Sequence, residues 1–300
     1  MYTSADLISS IKLRGVLPSS QNMYTDEKIC MLISQELQTN IVPWILSFRE
    51  DYYLTYEDFS IAENQTVFEI PELAIGGKLK AVMMLDNNDM ILNSTPRLSL
   101  KQIANLSTLE FGGFYVEGNY IKLYPNVFNA QKLRLYYFRR PNDVVPISSG
   151  GQVMQVDAVN NSVVLSNVPS TWVIGTLVSV VKGRPGFDAI FNSSAIVSLS
   201  SPTVELSSVA GVKVGDWFAN KYFTPVIMAP VEAQAVLAQV VVSKLLEGLG
   251  DPKWQAAQEK ASELKLSMTN TLAPRVDDSP KKIVSRYFNS NFGSNQFRGY

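Results

Sequence analysis

Histidine is absent from this 300-residue chain, and cysteine occurs once, at Cys30. The first absence removes the commonest general base, the commonest transition-metal ligand and every nucleophile arrangement that depends on an imidazole. The second excludes an intrachain disulfide, and together they leave a structural zinc site without a ligand set. Cys30 falls in an apolar helical pattern, where a small core residue is expected. A lone free thiol and an N-terminus without signal-like character fit synthesis and folding in a reducing cytoplasm. An excess of either charge is also lacking: 26 Lys and Arg stand against 27 Asp and Glu, a net charge of −1. Nothing at the whole-chain level therefore calls for nucleic acid or an anionic membrane. The longest apolar run, after Pro230, is interrupted by Glu232 and Gln234, well short of the roughly 20 residues that span a bilayer. No membrane segment, metal or cofactor is expected, and the prior for catalysis falls.

What is present is a large apolar fraction, 46%, enough to bury a sizeable core. Pro230 opens a segment in which Ala233, Val236, Leu237, Val240, Val241, Lys244 and Leu245 recur at three-four spacing, with further apolar residues beyond that stripe. So apolar a helix predicts contact on most sides, as the spine of a bundle. Gly248-Leu249-Gly250 supplies the stop, and Asp251-Pro252 is expected to cap and open the next helix. That helix carries a narrow seam of Trp254, Ala257, Ala261, Leu264 and Met268. The N-terminal 51 residues offer its mate. Thr3 or Ser4 can cap a short helix with Leu7, Ile8 and Ile11, ending near Gly15. After a loop at 18–22, Thr25 caps a second helix whose Ile29, Leu32, Ile33, Leu37 and Ile41 form one face. Pro43 is expected to kink or interrupt it before Trp44, Ile45 and Phe48 continue.

From Tyr52 the period shortens to two. Residues 52–145 read as a β domain, with a hairpin expected between the strand at Tyr52, Leu54 and Tyr56 and the strand Val67-Phe68-Glu69-Ile70. Strand signals continue at 79–85, 114–117, 120–124 and 132–138, with a tight turn at Glu117-Gly118-Asn119 and a helical turn at 99–105. Lys132, Arg134, Arg139 and Arg140 cluster near the last strand, suiting either nucleic acid or a solubilising sheet surface. Residues 146–225 form a further inserted β domain, rich in valine, serine and glycine. Within it Val164-Leu165-Ser166-Asn167-Val168, with Gly175-Thr176 downstream, parallels 204–209 with Gly215-Asp216 downstream. This is a strand-turn-strand unit used twice, predicting a small two-repeat barrel or sandwich. Its entrance, Ser148-Ser149-Gly150-Gly151, reads as a linker. The fold class expected is α+β: a helical bundle from both chain ends, its hairpin at 226–278, around a large inserted antiparallel β region.

Motifs for chemistry are weak. Gly76-Gly77-Lys78 lacks Walker spacing and reads as a turn. Asp86-Asn87-Asn88-Asp89 lacks the glycine and terminal glutamate of a calcium loop. Asp157, Asp188 and Asp216 are the acids a carboxylate-dependent carbohydrate hydrolase would use, with no spacing that pairs them. The last 22 residues, 279–300, hold Lys281, Lys282, Arg286 and Arg298 and no acidic residue, interleaved with Tyr287, Phe288, Phe292, Phe297 and Tyr300. Such a segment lacks the aliphatic density for a core of its own, and its aromatic residues suit docking on a partner.

The opening TSADLISSIKLRGVLPSS through ILSFREDYYLTYEDF, followed by IPELAIGGKLKAV, resembles the N-terminus of head-to-tail connector proteins of tailed bacteriophages, the adaptor or neck rings beneath the portal. PVEAQAVLAQVVVSKLLEGLGDPKWQAAQEKASEL, with DDSPKKIVSRY after it, is similar to their closing part. The likeness covers roughly the first 85 and last 80 residues. It implies a non-enzymatic virion protein, made in the host cytoplasm and forming a dodecameric ring. That ring would dock on the portal protein, line a channel for the genomic DNA without reading its sequence, and carry a tail nozzle, second ring or fibres below. It further implies that the arm reaches the portal, with Lys281, Lys282 and Arg286 pairing with carboxylates and Tyr287, Phe288, Phe292, Phe297 and Tyr300 as anchors. The chain departs from the shortest members in its large β region, as podovirus-like connectors do. A tail or fibre-docking protein is the nearest alternative.

Overall fold

A computed structural model describes residues 3–16, 24–62, 65–104, 112–124, 132–183 and 189–273. The fold is α+β, as the sequence predicts, and three hydrophobic cores organise it. The first belongs to the helices. Helix α1 (Ser4–Gly15) starts with a reciprocal capping box, in which the Asp6 amide donates to the Thr3 hydroxyl and the Asp6 carboxylate accepts from the Thr3 amide. Helix α2 (Asp26–Glu36) is capped by Thr25, with Asp26 and Glu27 at the positive end of its dipole. Between α2 and α3 (Val42–Leu46) the helix widens into a π turn at Leu37–Ile41, where the Val42 amide reaches back to the Leu37 carbonyl. Pro43 accounts for this turn. Proline has no N–H for the carbonyl four residues earlier and its ring crowds that turn, so the backbone takes one wider turn. The interruption expected at Pro43 takes the form of this π turn, and Ile29, Ile33, Leu37, Ile41 and Ile45 remain on one wholly buried stripe across it.

Helix α5 (Val231–Leu249) touches α1, α2, the π turn and α6 (Trp254–Leu272). It is buried nearly all round, including Gln234, Gln239 and Ser243, which explains why its apolar residues spread beyond one stripe. Gly250, at φ 69°, closes it in the left-handed conformation. The Asp251 carboxylate accepts from the Lys253 amide, as expected of a cap, but Asp251 and Pro252 form the turn that leads into α6 and the helix itself starts at Trp254.

The second core lies between two small sheets. One has the order β1-β7-β3-β4 and the other β2-β6-β5, with β1 at Leu54–Ser60, β2 at Val67–Glu69, β3 at Ala74–Leu85 and β4 at Ile91–Ser94. After the short helix α4 (Leu100–Ala104) come β5 at Gly113–Glu117, β6 at Tyr120–Tyr124 and β7 at Lys132–Arg139. The expected hairpin of β1 with β2 does not form. Strand β1 pairs antiparallel with β7, Leu54 opposite Phe138 and Ser60 opposite Lys132, while β2 pairs with β6. Phe68, Ile121 and Leu123 of one sheet then face Val82, Leu133 and Leu135 of the other.

The third core is a closed six-stranded barrel of β9 (Gly150–Asp157), β10 (Ser162–Leu165), β11 (Leu177–Val181), β12 (Ala189–Ser200), β13 (Thr203–Leu206) and β14 (Trp217–Asn220), in the circular order β10-β13-β12-β11-β14-β9. The two repeats map β9, β10 and β11 onto β12, β13 and β14, and exchanging them leaves that circular order unchanged. Each repeat turns at a glycine of positive φ, Gly175 at 89° and Gly215 at 94°. Each turn is tied by the residue after that glycine: Thr176 Oγ1 accepts from the Val173 amide, and Asp216 Oδ2 from the Lys213 amide. Gly150 and Gly151 belong to β9 and are not a linker. A Cβ on Gly150 would stand 2.5 Å from the Phe218 carbonyl, and one on Gly151 2.1 Å from the Asn167 carbonyl. Flanking the barrel, β8 (Asp143–Val144) and β15 (Phe223–Thr224) pair in parallel, and Val144 and Ile227 enter the helical core.

Candidate interaction surfaces

The predicted arm contacts, Lys281, Lys282, Arg286, Tyr287, Phe288, Phe292, Phe297 and Tyr300, lie outside the described residues, as does Asp188. What is fixed is where the chain sets out. Helix α6 ends at Leu272, buried in the helical core, and one turn earlier the Trp44 indole N–H donates to the Thr269 hydroxyl at 3.2 Å.

A largely apolar cavity of about 510 Å³ is a groove between the outer face of α2 and the β8–β15 pair. Glu27, Met31, Gln38, Asp143, Val144 and Phe223 line it. Gln38 donates to the Asp143 carboxylate at 2.7 Å and the Val144 amide donates to the Ser34 hydroxyl at 2.7 Å, so helix and strand are tied at the groove floor. Met31 is 63% exposed although its neighbour Cys30 is 1% exposed. Burial, with Asp26 and Glu27 nearby, pushes the Cys30 thiol up to about 12, which keeps it protonated and unreactive. The sequence reading passed over this groove. Its signal was Met31, a large apolar residue off the buried stripe of α2.

A second cavity of about 500 Å³ separates the first sheet from the barrel, lined by Tyr56, Glu57, Glu72, Tyr137, Lys221 and Tyr222 among others. Its polar groups are mutually engaged. The Tyr137 hydroxyl donates to Glu57 at 3.4 Å, and burial raises the Glu57 carboxyl above its ordinary range against the opposing pull of that bond and of Arg139. Glu72 is lowered by a hydrogen bond from Tyr222 and by Lys221. Arg139, buried and bonded to Asn142 at 2.6 Å, is pushed down to about 10 by desolvation.

The basic residues of β7 do not form one patch. Arg134 grips Asp58 through two hydrogen bonds of 2.7 Å and lies 4.1 Å from the centre of the Tyr56 ring. Lys132 pairs with Asp89, and Arg139 points to the opposite, buried side, as strand alternation requires. Two of the three acids considered for hydrolysis, Asp157 and Asp216, are likewise occupied. Asp157 accepts from Val159 and Asn160 in the β9–β10 turn, and buried Asp216 accepts from the Gly183 and Lys213 amides. Asp86 accepts from the Asn88 and Met90 amides, organising the β3–β4 hairpin. Gly76 and Gly77, both at positive φ, sit in an irregular step of the β3–β7 ladder. Among the described residues, no three acidic or cysteine side chains gather as a metal site would need, and no helix is long and apolar enough to cross a membrane.

No protein-family model matches the chain, and a search of curated proteins gives no match.

Proposed function

We propose that the chain is a structural subunit of a bacteriophage head-to-tail connector. Twelve copies would form a ring under the portal, extending the DNA channel and offering tail components a platform. The observation that carries the reading is the joining of both chain ends in one helical core, with the β units inserted between them. These are the two stretches that resemble connector proteins, and their packing together supports treating them as one ring-forming module. The near-continuous burial of α5 leaves α1, α2 and α6 to face neighbours, and heterologous contacts between such faces close rings. Asp157 and Asp216, two of the acids that a hydrolase would have used, tie backbone turns instead, which suits an assembly component. On this reading the protein is not an enzyme, its site is the virion neck, and its contacts with DNA are not sequence-specific.

The test is to mix the full chain with a purified portal ring and measure the mass and symmetry of the product. A stoichiometric second ring is expected, lost on truncation after Asp278. Absence of any complex from the full chain refutes the connector reading, and normal binding by the truncated chain refutes the arm's role within it.

A further inference from the structure

We infer that the α2–β8 groove is the seat of the chain's own basic and aromatic C-terminal segment, residues 279–300. Charge supports the pairing: Glu27 and Asp143 line the groove and no Lys or Arg does, while the segment has four basic residues and no acidic one. Apolar chemistry supports it as well, since Met31 and Phe223 are exposed there at 63% and 39%, and aromatic anchors bury well in such a cleft.

Length agrees too. From Glu27 to Gln38 the groove follows about 16 Å of helix at 1.5 Å per residue. Phe288 and Phe292, four residues apart, span about 13 Å when extended, so both rings fit within it. The segment leaves α6 where Thr269 is bonded to Trp44, about 9 Å along the helix from Gln38 and about 26 Å from Glu27. The 286 − 273 = 13 steps from Ala273 to Arg286 reach about 43 Å when extended, enough to bring Arg286 to either carboxylate. The occupant is the same segment whether it comes from the same copy or a neighbour. The inference concerns the chain before any partner is added and does not rest on the connector reading.

Disulfide trapping in the full-length protein tests it. In a Cys30→Ser background, Met31→Cys paired with Phe292→Cys should oxidise at least about tenfold faster than the control pair Val159→Cys with Phe292→Cys, because docking raises the local thiol concentration. Val159 is 90% exposed on the distant β9–β10 turn. Trapping within one copy or between two copies supports the proposal alike, and equal rates for the two pairs overturn it. A second measurement needs no pairing. Maleimide labelling of the single thiol at position 31 should accelerate when Phe288 and Phe292 are both changed to alanine, and an unchanged rate overturns the proposal.

Discussion

Gly151→Ala tests the account of the barrel most directly. The added methyl would sit 2.1 Å from the Asn167 carbonyl oxygen and 3.1 Å from Leu165 Cβ. Ordinary contact begins near 3.4 Å, so backbone must separate by 3.4 − 2.1 = 1.3 Å. Neither side yields easily. The Asn167 side chain donates to the Ser148 and Gly150 carbonyls, and Ser166 is tied to Gln152 by two further bonds. Overpacking of this kind costs about 1 to 3 kcal/mol, and two held backbones put it at the upper end. The loss of glycine's freedom in the unfolded chain offsets about 0.4 to 1 kcal/mol. A net loss of about 2 kcal/mol is expected, which lowers a urea midpoint by roughly 1 to 2 M for a unit with an m-value of about 1 to 2 kcal/mol/M. Tryptophan fluorescence can follow it, because Trp172 and Trp217 lie in the barrel and Trp44 and Trp254 in the helices. The control is Gly118→Ala, whose methyl meets nothing within 4 Å and suffers only from φ 59°, a strain of about 1 to 2 kcal/mol that the same unfolded-chain offset reduces to roughly 1 kcal/mol net. If Gly151→Ala shifts its transition no more than Gly118→Ala, or moves only the helical signal, the reasoning fails.

Three further outcomes are expected. Thr3→Ala removes the capping box of α1 and should lower helix stability by about 1 kcal/mol, read as a drop in thermal midpoint. Glu57→Gln should remove a pH dependence. Burial raises the Glu57 pKa on folding, so its contribution is fully present below the ordinary value of 4.5 and is lost as pH rises through the raised folded value. The variant should therefore gain stability relative to the parent as pH increases across that interval, and parallel stability curves would refute the assignment. Cys30, 1% exposed with its thiol pushed up to about 12, should resist maleimide at pH 8 in the native protein and react fully in denaturant. Rapid native labelling would contradict the packing of α2.

The helical ends were legible because their information is local. Thr3, Thr25 and Gly250 mark boundaries, and a three-four stripe fixes each buried face without reference to distant residues. The barrel repeat was legible for the same reason, since a turn used twice leaves a similar string twice. Strand pairing is different. Asn64 and Gln65 separate β1 from β2 as a hairpin turn would, but Leu54 to Ser60 is claimed by β7, and only the shared core behind Leu133, Leu135 and Phe68 decides it. Glycines mislead by the same logic. At 148–151 composition suggests a flexible joint, whereas Gly150 and Gly151 are where strands press too close for a side chain. Pro43 signalled an interruption of the α-helix, and the form it takes, a π turn, is what the proline rule does not specify. The groove beside α2 depends on Asp143 and Phe223 meeting residues more than a hundred positions away, so only Met31 hinted at it.

The parallel pair β8–β15 predicts an order of events in folding. Parallel strands require a crossover, and here the crossover is the whole barrel, because Asp143 and its partner Phe223 are 223 − 143 = 80 positions apart. Closing a flexible loop of that length costs about 4 kcal/mol by the logarithmic scaling with loop length, whereas a barrel already closed presents its two ends ready-made. Val226 then meets Thr3, the Ser4 amide reaches the Pro225 carbonyl, and Ile227 and Ala229 dock among the helices. The barrel is then expected to form before the bundle, with the contacts joining the first residues to the 225–229 stretch maturing last. In refolding experiments the barrel tryptophans should reach their native signal before those of the helices, and the reverse order would show that the loop closes without it.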